Sequence, residues 1–176
     1  MKTPVLETER LILRPMTAED APSAFSNWTS DEDVARFMRW EKHNKIEETI
    51  AWLEAEEAML GSDDVWNWGI VWKESGALIG SVGLVMNEAE GLYELGYNVM
   101  KARWGQGIAT EAARRVMEFF RAELGQTTLF CCHAKNNPAS GRVIEKLGFV
   151  YRGDGAYFSR DGKKRFEARE YLLNVE

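Results

Sequence analysis

Apolar and polar positions along the chain fall into segments of two periods, one near 2 and one near 3.6. Residues 6–14 (LETERLILR) end in an apolar run of strand type. Thr17-Ala18-Glu19-Asp20 then has the form of a capping box opening a helix. Ser30-Asp31-Glu32-Asp33 repeats that start signal for a short helix through Met38, and residues 46–60 predict a longer helix stopped by Gly61. Three antiparallel-type strands are predicted over 65–73, 77–86 and 92–100, separated by Glu74-Ser75-Gly76 and by a polar turn over 87–91. A helix over 107–124 carries apolar residues at Ile108, Ala112, Val116, Phe119 and Phe120, with Gly125 as its stop. Residues 127–133 predict the next strand, Pro138 opens a helix ending at Leu147-Gly148, and the tail predicts a hairpin around Asp161-Gly162. The order predicts an α+β fold, one sheet with helices packed on it, without repeats or linkers.

At 176 residues and 45% hydrophobic, the chain suits one domain over 1–176 with a full core. Its net charge of -6 argues against a nucleic-acid partner, which needs a basic face, and makes a basic ligand or an amine the easier guest. The only cysteines, Cys131 and Cys132, are adjacent and offer neither a loop-closing disulfide nor metal-ligand spacing, so no metal is expected. The first residues lack the apolar run of a signal peptide, and no run approaches the roughly 20 apolar residues that span a bilayer. A cytoplasmic, membrane-free protein is expected. Monomer and homodimer both stay open.

The most informative segment is Tyr97-Asn98-Val99-Met100-Lys101-Ala102-Arg103-Trp104-Gly105-Gln106-Gly107-Ile108-Ala109-Thr110-Glu111-Ala112, a strand entering a helix through a glycine-containing loop. Gly105 and Gly107 let the backbone turn sharply, and the first N–H groups of the helix have no intrahelical partners, which together make an anion cradle suited to a diphosphate. A phosphoryl-transfer loop needs Gly-Lys-Ser/Thr, and here Ile108 and Ala109 follow the second glycine. A dinucleotide fingerprint needs Gly or Ala three residues beyond that glycine, and position 110 is Thr. Alone, the Gly-x-Gly also fits an ordinary turn before a helix.

A second segment, Asn136-Asn137-Pro138-Ala139-Ser140-Gly141-Arg142-Val143-Ile144-Glu145-Lys146-Leu147-Gly148-Phe149, adds specificity. Taken with the first, it closely resembles the GNAT superfamily of acetyltransferases. Trp104-Gly105-Gln106-Gly107-Ile108-Ala109 matches that family's Q/R-x-x-G-x-G/A pyrophosphate motif except at the first position, where Trp104 stands for Gln or Arg. That departure, and the opening Leu6-Glu7-Thr8-Glu9-Arg10-Leu11-Ile12-Leu13-Arg14-Pro15, resemble the Rim-type branch, which includes N-terminal acetyltransferases of ribosomal proteins.

The resemblance implies a mostly antiparallel sheet splayed open between the strands over 92–100 and 127–133, with acetyl-coenzyme A in the split. The pantetheine arm would bond to the backbone of Tyr97, Asn98 and Val99, in the manner of an added strand. The N–H groups of Gly105, Gln106, Gly107, Ile108, Ala109 and Thr110 would hold the pyrophosphate, and Asn137 would hydrogen-bond the pantetheine. Ser140 would sit near the thiol. An N–H near Val99 would polarise the thioester carbonyl, and Ser140 or Tyr151 would donate to the leaving thiolate.

Glu94 is the candidate base, from the strand position where relatives often carry a carboxylate; a surface ion pair is the equal alternative. His133, near a strand end, more simply has a structural role. Trp66, Trp68, Ile70 and Trp72 alternate along one strand face as a buried face does, and Trp28 and Trp40 also suit core packing, although acceptor clefts in this fold lie near the early helices. Cys131 and Cys132 must point to opposite faces of their strand. For the acceptor, freeing a lysine of pKa about 10.4 costs roughly 4 to 5 kcal/mol at pH 7 and an α-amine near 7.8 only about 1, which favours a peptide N-terminus. A small-molecule amine (amino acid, polyamine or antibiotic) and a non-catalytic acyl-coenzyme A sensor are the alternatives.

Overall fold

The computed structural model describes residues 2–174; Met1, Val175 and Glu176, part of the span expected to form one domain, lie outside the described residues. Residues 6–14 form two strands rather than one, β1 (Leu6–Glu7) and β2 (Leu11–Arg14), paired as a hairpin. The break has a local cause. Thr8 N–H donates to the Leu11 carbonyl (3.0 Å) while Leu11 N–H donates to the Thr8 hydroxyl (3.0 Å), closing a tight turn through Arg10.

The capping-box segment opens a 3₁₀ turn (Ala18–Asp20) that runs on through α1 (Ala21–Ala24), and the Asp20 carboxylate accepts from the Thr17 N–H (3.0 Å). Helix α2 (Glu32–Ala35) is capped by Asp31 and ends short of the expected Met38. There the Tyr157 hydroxyl takes the Phe37 carbonyl (2.6 Å) and the Arg160 N–H takes the Arg39 carbonyl (2.7 Å), drawing the chain out of the helix towards the sheet. Helix α3 (Ile46–Ala58) follows as expected.

Strands β3 (Val65–Trp72), β4 (Ala77–Asn87) and β5 (Leu92–Val99) form an antiparallel meander. After it come α4 (Ile108–Leu124), β6 (Thr128–Ala134), α5 (Pro138–Lys146), β7 (Val150–Phe158) and β8 (Arg165–Asn174). The eight strands make one sheet in the order β1-β2-β3-β4-β5-β6-β8-β7. All neighbours are antiparallel except β5 and β6, which are parallel and pair only at Tyr93–Leu129 and Glu94–Phe130. Beyond Glu94 the two strands diverge, so the sheet is split along half of β5.

Helices α4 and α5 cover one face. Trp66 and Trp68 pack on Phe119 with ring centroids 5.2 and 5.3 Å apart, and Tyr93 packs edge-on to Phe120. These tryptophans are core, as their alternation predicts, and each aromatic removes roughly 150–250 Å² from water. The opposite face is closed by Trp28, Val34 and Leu53 from the early helices. Helix α5 sits close over β6 because Gly141 has no Cβ; one there would lie 2.8 Å from the His133 ring. Among the described residues, no helix is long and apolar enough to cross a membrane, and no cluster of three or more His, Cys, Asp or Glu side chains is arranged to hold a metal ion.

Candidate active site

The loop between β5 and α4 has the conformation its glycines permit. Gly105 (φ 76°) and Gly107 (φ 75°) both occupy the left-handed region, and α4 begins immediately after Gly107. Trp104 is half exposed, and its indole N–H donates to the Val99 carbonyl (2.7 Å), tying the loop back onto the end of β5. The backbone N–H groups of residues 105–110 find no acceptor among the described residues. A row of free donors at the positive end of a 17-residue helix suits a diphosphate.

A cavity of about 400 Å³ runs from this loop between the end of β5 and the start of α5, with Asp33, Val34 and Phe37 on a further wall. Tyr97, Asn98, Val99, the 104–110 loop, Asn137 and Ser140 all line it, so the structure brings together the cofactor residues expected from the sequence. Arg103, Arg142 and Lys146 add positive charge to its wall. Asn137 caps α5, its side chain accepting from the Ser140 N–H (3.3 Å), and this cap sets the first turn of α5 at the cleft. Ser140 Oγ lies 2.9 Å from the Tyr97 hydroxyl, which bridges the split from β5. Burial, reinforced by the neighbouring Cys131 thiol, raises the Tyr97 pKa well above the ordinary phenol value.

Glu94 lies at the last paired position before the split and points to the sheet face opposite α4. Its carboxylate accepts from Arg39 (2.9 and 3.2 Å), from the Asn87 amide (2.9 Å) and from the Cys132 thiol (Sγ 3.4 Å). Arg39 also lies 4.9 Å above the Tyr157 ring. Burial opposes the charge on Arg39, but the Glu94 carboxylate outweighs it and raises the guanidinium pKa. Burial and the same carboxylate push the Cys132 thiol up, so it stays protonated and serves as a weak donor. Gly96 and Asn98 follow Glu94 on the same face of β5, and a Cβ at Gly96 would meet nothing within 4 Å. An open notch therefore lies between Glu94 and Asn98.

Tyr151 is placed elsewhere. It is exposed on β7, donates to Asp154 (2.8 Å) and packs edge-on to Tyr171. Like Glu94 and Gly96, it does not line the cavity that holds Ser140, but those two lie on β5 just before the cavity-lining residues Tyr97 and Asn98. His133 is buried with both ring nitrogens engaged, Nδ1 with the Ala134 carbonyl (2.8 Å) and Nε2 with the Tyr171 hydroxyl (3.1 Å). Cys131 faces the core, 3.3 Å from the Leu95 carbonyl, and Cys132 faces Glu94, on opposite sides of β6. Sequence reasoning missed the Tyr97 hydroxyl and the Arg39, Asn87 and Cys132 partners of Glu94. A tyrosine at the position facing the split was the only signal among them.

The comparisons with known proteins agree with this geometry. The family pattern described as the acetyltransferase (GNAT) domain matches residues 10–150. An uncharacterized N-acetyltransferase of Bacillus subtilis (strain 168), YoaA, is 31% identical over 151 residues, 85% of each chain. Among solved structures, RimL, the ribosomal L7/L12 alpha-N-protein acetyltransferase in complex with coenzyme A, superposes with a TM-score of 0.84 at 14% identity, covering 98% of both chains. The microcin C7 self-immunity acetyltransferase MccE, solved with acetyl-CoA and AMP, superposes with a TM-score of 0.82 at 15% identity, covering 96% of this chain and 94% of that one. Both are likenesses of fold, whereas the family pattern and the 31% relative are likenesses of sequence. This chain belongs to the GNAT family of acetyltransferases, with acetyl-coenzyme A as its co-substrate.

Proposed function

We propose that the enzyme acetylates the α-amino group of a protein or peptide N-terminus, with Glu94 drawing charge from the amine and Ser140 serving the leaving thiolate. Acetyl-coenzyme A supplies the activated acyl group, and the chain's own residues bind and orient it. The N–H groups of residues 105–110 would hold the diphosphate. The edge of β5 beyond Glu94, unpaired with β6, is available to the pantetheine amides.

The observation that carries the reading is the crowded carboxylate of Glu94. Arg39, Asn87 and Cys132 together occupy its acceptor positions, so it can take a proton only by releasing its weakest partner, the thiol, or through water. Such a base suits an amine that is already partly neutral at pH 7, which an α-amine is and a lysine is not. The amine would enter over the notch at Gly96, attack the thioester carbon and lose one proton towards Glu94. At the split, burial keeps Tyr97 protonated; its single O–H lies 3.2 Å from the Ser140 carbonyl and 2.9 Å from Ser140 Oγ, and turned to Oγ it would leave the Ser140 hydrogen free for the departing sulfur.

The ribosomal-protein acetyltransferases among the structural neighbours support a protein acceptor, and the RimL structure is named for one. The test is an amine panel with acetyl-coenzyme A, monitored by free thiol and by mass spectrometry. The panel includes one peptide whose only amine is N-terminal and one whose only amine is a lysine. Preference for the first at pH 7 is expected; preference for the lysine peptide, or for a free amino acid, polyamine or antibiotic, would overturn the assignment.

A further inference from the structure

The opening motif Thr8-Glu9-Arg10 has no part in the chemistry above, yet it lies against the diphosphate loop. Arg10 Nη2 donates to the Gln106 carbonyl (3.0 Å), inside that loop. The same guanidinium pairs with Glu111 on the first turn of α4, through Nε (2.7 Å) and Nη2 (2.6 Å). Glu111 is gripped further by the Arg10 backbone N–H (3.1 Å) and the Thr8 hydroxyl (2.6 Å). The Trp72 ring supports the cation from below, 5.5 Å from the Arg10 guanidinium. The β1–β2 turn is thus fastened to the start of α4 by the side chains of Thr8 and Arg10 on one side and Glu111 on the other.

A trans peptide points its carbonyl and the next N–H in opposite directions. With the Gln106 carbonyl held by Arg10, the Gly107 N–H must face away from Arg10, towards the cavity that Gln106 and Gly107 line. Between two glycines this peptide plane would otherwise be free to rotate, and the reversed plane would present a carbonyl oxygen to the anion. We infer that Arg10, braced by Glu111, is a positioning residue that fixes the Gln106–Gly107 peptide with its N–H towards the diphosphate. This inference rests on the reading that residues 105–110 hold the diphosphate.

The test compares acetyl-coenzyme A with S-acetylpantetheine, which carries the same thioester and no diphosphate. Arg10→Ala should raise KM for acetyl-coenzyme A, and the calorimetric Kd of coenzyme A, by roughly tenfold, the equivalent of one charge-assisted hydrogen bond. Its kcat should change little, and kcat/KM for S-acetylpantetheine should match the wild type. Arg10→Lys keeps the charge but lacks the planar fork that reaches Glu111 and Gln106 together, so it should resemble Arg10→Ala. A wild-type Kd in Arg10→Lys would overturn positioning in favour of a simple charge effect. Equal losses on both thioesters would overturn the inference in favour of general damage. Glu111→Gln, a milder change, should show the same selectivity to a smaller degree and serves if Arg10→Ala does not fold. Ala109→Asp, on the cavity wall in the first turn of α4, separates the two levels: if it leaves the Kd of coenzyme A unchanged, the loop reading itself fails. If it abolishes binding while Arg10→Ala leaves the Kd unchanged, the loop reading stands and Arg10 has no part in it.

Discussion

Replacing Glu94 with glutamine removes a charge and keeps the shape, and its consequences can be worked out in two parts. The first is stability. The substituted side chain would turn an amide NH₂ towards the donors of Arg39 or Asn87, losing at least one charge-assisted hydrogen bond. With the Arg39 side chain 40% exposed, solvent screens much of the ion pair, so the loss should be about 1–2 kcal/mol. For a domain of this size that lowers Tm by roughly 2–4 °C per kcal/mol. The second part is the rate. The neutral fraction of an α-amine of pKa about 7.8 rises from roughly 0.14 at pH 7 to roughly 0.94 at pH 9, a factor of about 7. General-base removal costs upwards of about 100-fold, and the lower figure suits a carboxylate whose acceptor positions are already filled. The defect of Glu94→Gln on an α-amine peptide should therefore be about 100-fold at pH 7 and about 15-fold at pH 9. Initial rates of thiol release at saturating acetyl-coenzyme A, on the α-amine and lysine-only peptides, measure it directly. A defect of the same size at both pH values, for either peptide, would refute the base role and leave Glu94 as half of a structural ion pair.

Acetyl-coenzyme A should raise the melting temperature of the wild type, and Gly107→Asp, which strains a left-handed backbone position of the loop and brings a carboxylate against Arg10, should abolish that shift in a folded protein. Ser140→Ala should lower kcat more than it raises KM for the cofactor, and Tyr97→Phe should do the same to a lesser degree; unchanged kinetics in Ser140→Ala would remove this hydroxyl pair from thiolate protonation. Gly96→Val fills the notch between Glu94 and Asn98, so it should raise the acceptor KM by roughly tenfold or more while leaving the cofactor-induced thermal shift intact. If that shift is lost as well, the notch belongs to the cofactor side of the cleft.

Turn and cap residues carried most of the fold, since the meander β3–β5 is divided by Glu74-Ser75-Gly76 and by residues 87–91, and helices α3, α4 and α5 are bounded by Gly61, Gly125 and Pro138. The misses occurred where tertiary contacts cut a pattern short. Nothing in LETERLILR has the glycine, proline or asparagine of a typical turn, and the β1–β2 break depends on the Thr8 hydroxyl bonding to a backbone N–H further along the same segment. The end of α2 is set by Tyr157 and Arg160, near the other end of the chain. The split between β5 and β6 cannot be derived from periodicity at all, because a strand unpaired along one edge keeps the alternation of a paired one; it came from the resemblance.

The same distinction divides the site. The left-handed loop with its free N–H groups was legible because it belongs to the backbone: two glycines and a helix start specify it whatever else the chain does. Glu94 was legible as a position but not as a chemical group, since its partners Arg39, Asn87 and Cys132 lie on three other segments and no local pattern joins them to it. Tyr151 shows the converse. A tyrosine just past the second motif suits a proton donor by its place in the sequence, but β7 is the sheet edge, and alternation does not say which strand is outermost. A cofactor held by backbone groups, as proposed for residues 105–110, would leave its signature in consecutive residues, whereas an acceptor site assembled from side chains of separate elements would leave none. That is why this chain declares its acetyl donor plainly, and why its acceptor must be argued from how Glu94 is held.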